Sequence, residues 1–283
     1  MSLGLIALWI FFVQYKSPQQ SRQTKSQLFF KQLKKSVFRK KYWWNRSTKV
    51  DYQIYFLNSL LKIFLFIPFL DFSFRISKTT ISTLLNSNQH QTLSFSATYL
   101  SLFAFSILTF VFDDFLRFFH HYLMHKIPFL WKLHRTHHSA KILTPISLYR
   151  IHPLESAMST LRNSLSTGVS IGFFIFLFNS QFSIMTIFGI NLFGFLFNLL
   201  GSNLRHSHIP LSFGVLEWVF ISPKQHQIHH SSDPTHYDKN FGVSLTLWDG
   251  LIGSLLRSKQ VTKQLRFGLK NHRQTLKKTL ISQ

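Results

Sequence analysis

Histidine is the residue type in this chain best suited to chemistry, and its spacing is regular. The motifs read His121-x-x-x-His125, His134-x-x-His137-His138, His206-x-His208 and His226-x-x-His229-His230. Positions three and four apart share a helical face, so each motif can aim two or three imidazoles at one point. Three such faces, with a contribution from His206 and His208, offer about eight to ten nitrogen donors, enough for two metal ions with positions left open. Twelve of the 15 histidines fall between residues 121 and 236, a concentration that surface polarity does not explain. His90 and His272 lie outside the clusters and read as solvated. His120 points about 100° away from His121 on a helix and reads as structural.

With no cysteine in the chain, disulfides, iron–sulfur clusters and thiolate-bound haem or zinc are excluded. Acidic residues number only 9, so imidazole is the main available ligand, and it suits zinc as well as iron. A non-catalytic zinc or metal-handling protein is therefore the rival of a redox enzyme. Transporters place their ligands near the bilayer midplane on broken helices. Here the histidines follow the apolar runs and stand among Lys126, Lys132, Arg135 and Arg150, a placement at a membrane surface that favours catalysis.

The elements that must position these residues are membrane segments. Hydrophobic residues make up 46% of the chain and charged residues 14%, against about 25% charged in an ordinary soluble domain. The +23 formal charge collects at Lys16–Lys49 and Arg257–Lys278, beside apolar stretches, as expected of loops facing anionic lipid. No nucleic-acid module is present, so nucleic acid is not an expected partner. Leu3–Val13 reads as a short first membrane helix, and Ile54–Phe74 and Ala97–Phe119 as spans joined by the weakly charged segment Arg75–Ser96. Gly168–Leu200, interrupted near Asn179, reads as a tilted or re-entrant hairpin, since about 20 residues cross the hydrocarbon core. An even number of crossings brings the flanking histidine segments to one face, the cytoplasmic one by the charge rule.

Taken together, order, spacing and flanking residues resemble the fatty acid hydroxylase and sterol desaturase superfamily of histidine-ligated di-iron membrane oxygenases. The resemblance runs from Asp114 to Gly253. It rests on Asp114-Phe115 with His121 and His125, on Trp131-Lys-Leu-His134-Arg-Thr-His137-His138, and on Arg150-Ile-His152-Pro-Leu-Glu155. It continues through Ser222-Pro-Lys-Gln-His226-Gln-Ile-His229-His230 to Asn240-Phe-Gly242 and Trp248-Asp249-Gly250. Two positions depart from the family pattern: Tyr122 stands where arginine is common, and His208 where asparagine is. His206 is the better ligand candidate of that pair.

The resemblance implies two iron ions and O2 as cofactors, a lipid substrate, and electrons from a separate protein or a diffusible reductant, because no Gly-x-Gly-x-x-Gly dinucleotide fingerprint occurs. It also adds His152 to the expected ligands. Glu155, Asp114 and Asn240 are the candidate catalytic residues; Glu155, Asp114, Asp238 and Asp249 are candidate acceptors for the outer nitrogens of the imidazoles. Asp114 could equally be an interfacial helix residue, Asp238 and Asp249 caps, and Asn240 a turn former. The expected architecture is an all-α, multi-pass membrane bundle of four or five apolar segments with a cytoplasmic helical cap. Residues 1–119 would form membrane segments and a basic loop, 120–253 the catalytic domain with a hairpin at 165–200, and 254–283 a basic tail.

Overall fold

A computed structural model describes residues 40–88, 95, 98–179, 203–207 and 209–269. The expected helix at Leu3–Val13, the second arm of the hairpin and His208 lie outside them. The described residues form helices and turns, with two isolated antiparallel bridges and no strand. Three helices are long and apolar enough to cross a bilayer: α1, Arg46–Ser87; α2, Tyr99–Lys126; and α4, Pro153–Phe178. Between α2 and α4 lies α3, Pro128–His138, and α5 follows at Pro223–His229.

The sequence reading ended the span that starts at Ile54 at Phe74, but α1 continues through Arg75 to Ser87. Serine and threonine in this stretch return their hydroxyls to carbonyls of the preceding turn, as Thr79 does to Arg75 and Thr80 to Ile76, so polar residues do not break the helix. At 42 residues it is about 63 Å long, twice the hydrocarbon thickness. Its middle presents Ile63, Phe64, Phe66 and Ile67 outward.

The partner face of α1 is set by small residues. A Cβ added to Gly168 of α4 would stand 2.6 Å from the Ser73 carbonyl oxygen, and one on Gly172 would stand 2.9 Å from that of Ser77. The four-residue glycine spacing therefore lets the two backbones touch, the packing mode of lipid-embedded helices. α4 meets α2 differently, through Phe105 packed edge-on against Phe174 and Phe178 at 5.5 and 5.8 Å.

Proline sets where the short helices start. Pro128, Pro153 and Pro223 each occupy the first turn of α3, α4 and α5, where a missing N–H costs nothing. Pro128 also holds Ile127 extended (φ −93°, ψ 117°), because a residue before proline avoids the helical region. α2 is thereby stopped and α3 folds back across its end.

Beyond α5 the chain wraps the end of the bundle. Val215, Leu216 and Trp218 on one segment, and Leu247, Leu251 and Ile252 on another, remain exposed. Trp248 packs 5.1 Å from Phe115 of α2, so this apolar face continues that of a membrane helix. Among the described residues that follow, Arg257 stacks on Trp218 at 4.7 Å, Ser258 is buried, and Phe267 bridges to Ser231.

Candidate metal centre

The imidazoles converge in two buried groups. His121, His125, His134, His138 and His229 form one, and His137, His206, His226 and His230 the other; within each, potential ligand nitrogens lie within 4.8 Å of one another. α2 supplies two members, α3 three, α5 and its C-cap three, and the turn after Asn203–Arg205 supplies His206. Alternating residues of a His-x-x-His-His motif serve different groups: His134 and His138, a turn apart on α3, face the first, while His137 faces the second.

Outer hydrogen bonds fix which nitrogen points inward. His134 Nδ1 lies 2.7 Å from Glu155 Oε1, His121 Nδ1 2.7 Å from the Phe241 carbonyl, and His229 Nδ1 2.7 Å from the Lys239 carbonyl. His137 Nδ1 lies 3.3 Å from the Arg150 carbonyl. The three carbonyl oxygens can only accept, so His121, His229 and His137 carry the proton on Nδ1 and keep the Nε2 lone pair; the Glu155 carboxylate, when ionised, fixes His134 in the same way. The Nε2 atoms of His125, His134, His138 and His229 are buried with no protein partner.

In the second group His206 Nε2 lies 3.1, 3.0 and 3.3 Å from the Nε2 atoms of His137, His230 and His226. One nitrogen carries either a proton or a lone pair and cannot bond three such neighbours at once. Donors held about 2.1 Å from a common cation are about 3.0–3.4 Å apart, so the donor set fits a metal ion. Burial, reinforced by neighbouring imidazoles, holds His134, His138, His206, His226 and His230 well below the usual range. Burial likewise lowers His137 to about 3 and His229 to about 4. Neutral imidazole is the ligating form.

The remaining candidates stand outside both groups. His152 is the N-cap of α4, its Nδ1 accepting from the Leu154 N–H at 3.2 Å. His120 and His236 join neither group. Asp114 accepts from the Ser244 and Leu245 N–H groups and from Trp248 Nε1. Asp249 accepts from the Phe241 and Gly242 N–H groups at 2.8 and 2.7 Å. Asn240 takes a left-handed conformation (φ 58°) and ties the Gln225 and Leu256 backbones together. These side chains hold the loop whose carbonyls orient His121 and His229. Asp238 pairs with Lys126 at 2.6 Å and approaches His125 Nδ1 only to 4.0 Å.

Arg150, grouped with water-facing cations in the sequence reading, is buried. Its guanidinium bonds Asp51 at 2.9 Å and Thr136 O at 3.1 Å, which fixes the carbonyl that receives His137. The backbone acceptors Phe241 O, Lys239 O and Arg150 O left no side-chain signature to find. Glu217 was also missed: fully buried, it accepts from the hydroxyls of Ser212, Ser222 and Ser258 and so locks the start of α5 to the C-terminal segment.

Residues 106–254 match the family model described as fatty acid hydroxylase. Among curated proteins the chain is 26% identical over 154 residues to alkylglycerol monooxygenase of Xenopus tropicalis, covering 54% of this chain and 31% of that protein. It is 25% identical over 137 residues to the ornithine lipid hydroxylase OlsE of Rhizobium tropici, covering 47% of this chain and 36% of that protein. The match thus spans about a third of the length of these relatives. No solved structure matches the chain significantly.

Proposed function

This chain belongs to the fatty acid hydroxylase family, and from that premise we propose that it is a membrane oxygenase that hydroxylates or desaturates a lipid at a pair of iron ions. The observation that carries the reading is the pair of buried imidazole groups, nine residues in all, set at the ends of apolar helices. The names of the relatives, a monooxygenase and a lipid hydroxylase, support the reaction class.

His121, His125, His134, His138 and His229 would hold one ion, and His137, His206, His226 and His230 the other. Two iron ions bound there would supply the redox chemistry by which O2 is activated. For hydroxylation, a lipid C–H, O2, two electrons and two protons give an alcohol and water; the electrons come from a separate protein or a diffusible reductant. Glu155 and the carbonyls of Phe241, Lys239 and Arg150 keep the ring tautomers fixed throughout. Phe118, Phe241 and Met124, all buried, exclude bulk water. Lys132 and Arg135 are exposed on α3, where an acidic electron donor could dock beside the ligand-bearing helix.

The test is metal analysis of the purified protein together with lipid mass spectrometry of cells grown with and without O2, with a functioning donor present. Iron at both groups and a lipid change that requires O2 and His138 support the proposal. Zinc in the groups, with no O2-dependent product, supports the non-catalytic rival. The proposed cytoplasmic orientation is tested by labelling: the chain has no cysteine, so Arg135→Cys should react with an impermeant reagent only from the cytoplasmic side and Ser87→Cys only from the opposite side.

A further inference from the structure

One turn to the membrane side of the histidine centre stands a second cluster, of opposite character. On α2 the ligand stripe Asp114, Phe118, His121 and His125 is flanked by another, Asp113, Arg117 and His120, at four- and three-residue spacing. Arg117 is four residues before His121, about 6 Å along the axis, and Arg162 of α4 is seven residues beyond Glu155, about 10 Å. Arg162 lies close enough to feel the charges of Arg117, Asp113 and His120, and Arg205 those of Arg117 and Asp114. Arg162 of α4 therefore stands near Arg117 of α2 at the histidine-bearing end of the apolar helices, while Arg205 donates to the Val243 carbonyl.

The negative charge there does not match. Asp113 pairs with Arg117 at 2.7 Å, and both oxygens of Asp114 are occupied by Ser244, Leu245 and Trp248. Among the described residues half-buried Arg162 bonds the neutral Asn163 Oδ1, at 2.6 Å, and its Nε is buried with no partner. All nine carboxylates of the chain lie among the described residues, and none pairs with Arg162. No Asp or Glu occurs between Glu155 and Glu217, so the intervening segment holds no counter-charge either. A guanidinium withdrawn from water without an anion is costly, and near a bilayer such a residue marks a functional partner.

We propose that Arg162, with Arg117, receives the phosphate of a lipid whose head-proximal carbons reach the histidine centre. Guanidiniums suit phosphate because their planar N–H pairs bond two oxygens at once. Arg117 stands about two and a half turns before the end of α2 at Lys126, and Arg162 as far after the start of α4 at Pro153, so both lie toward the ends that carry the histidines. The lipid atoms next to the phosphate would then fall within a turn or two of the metal groups, with the chains leading away into the bilayer. This inference rests on the lipid-oxidising reading, and it restricts the substrate to phosphate-bearing lipids.

The experiment uses full-length metal-loaded protein in neutral detergent, titrated with phosphatidic acid, diacylglycerol or inorganic phosphate while thermal stability and bound metal are followed. Phosphatidic acid should stabilise the wild type, and diacylglycerol of the same chains should not. Arg162→Gln should weaken phosphatidic acid binding by about tenfold or more with metal content unchanged, Arg162→Lys should keep most of it, and Arg75→Gln all of it. Equal binding of phosphatidic acid and diacylglycerol, an unchanged Arg162→Gln, or binding of inorganic phosphate with no gain from the acyl chains would overturn the proposal. The two readings fail separately. Oxidation of a neutral lipid unaffected by Arg162→Gln removes this inference alone. Arg162-dependent phosphatidic acid binding without any O2-dependent lipid product removes the oxygenase reading alone.

Discussion

Glu155 on α4 holds His134 on α3 through a 2.7 Å contact from Oε1 to Nδ1, with both side chains buried. The bond joins a helix long and apolar enough to cross a membrane to the short helix that carries three of the imidazoles. Because the carboxylate accepts the Nδ1 proton, His134 presents its Nε2 lone pair inward. Glu155→Ala should therefore lower metal affinity about 10–100-fold, the usual cost of losing such an outer partner. Glu155→Gln, which keeps an acceptor oxygen, should lose less. The measurement is bound metal after dialysis against a graded chelator; equal affinity in Glu155→Ala and wild type would remove the orienting role.

The two imidazole groups should empty separately. His226→Ala removes a member of the four-histidine group and should release one of the two metal equivalents while leaving the other. His138→Ala should do the same for the five-histidine group. His152→Ala should leave both, with a loss of about 1 kcal/mol in stability as the cap of α4 is removed. Metal-to-protein ratios of the three variants decide the matter, and a metal loss in His152→Ala comparable to the others would return it to the ligand set.

Glu217 gives a pH signature away from the metal. Burial works to raise its pKa, but bonds from Ser258, Ser212 and Ser222 outweigh it and hold the group below its ordinary 4.5. A carboxyl lowered on folding contributes stability that is present above the unfolded value and lost as pH falls through the folded one. Thermal unfolding of wild type should thus decline more steeply on acidification below 4.5 than that of Glu217→Gln. Histidine protonation is common to both proteins and cancels; parallel declines would refute the assignment.

The contact between α1 and α4 predicts a packing defect. Gly172→Leu places atoms against the Thr80 side chain and the Ser77 carbonyl, where even a Cβ stands at 2.6 and 2.9 Å. Since the obstacle includes backbone, the helices must separate, and overpacking of this kind costs about 1–3 kcal/mol or more. Detergent-solubilised Gly172→Leu should show a lower melting temperature and a smaller monodisperse fraction in size exclusion. Gly250→Ala, where a Cβ meets nothing, is the control.

The spacing of His121 and His125, of His134 with His137 and His138, and of His226 with His229 and His230 was sufficient to mark imidazoles that converge in space, because helical periodicity dictates which side chains share a face. Apolar run length likewise marked α2 and the first part of α1, whereas α4 begins at Pro153, well before the apolar run that starts at Gly168. The sequence could not divide the imidazoles between two groups. Neighbouring residues such as His137 and His138 go to different ones, and that split depends on where α2, α3, α5 and the His206 turn cross. Nor could it show that α1 runs on through Arg75, since hydroxyls that return to their own helix leave the same polar composition as a loop. His152 was expected among the ligands and Asn240 either as a catalytic residue or as a turn former; in the structure His152 caps α4 and Asn240 ties backbone segments together. Carbonyls orient His121, His137 and His229, and a carbonyl has no residue type to read. Only tertiary structure decides which peptide oxygen meets which ring, because that choice depends on distance in space and not on spacing along the chain.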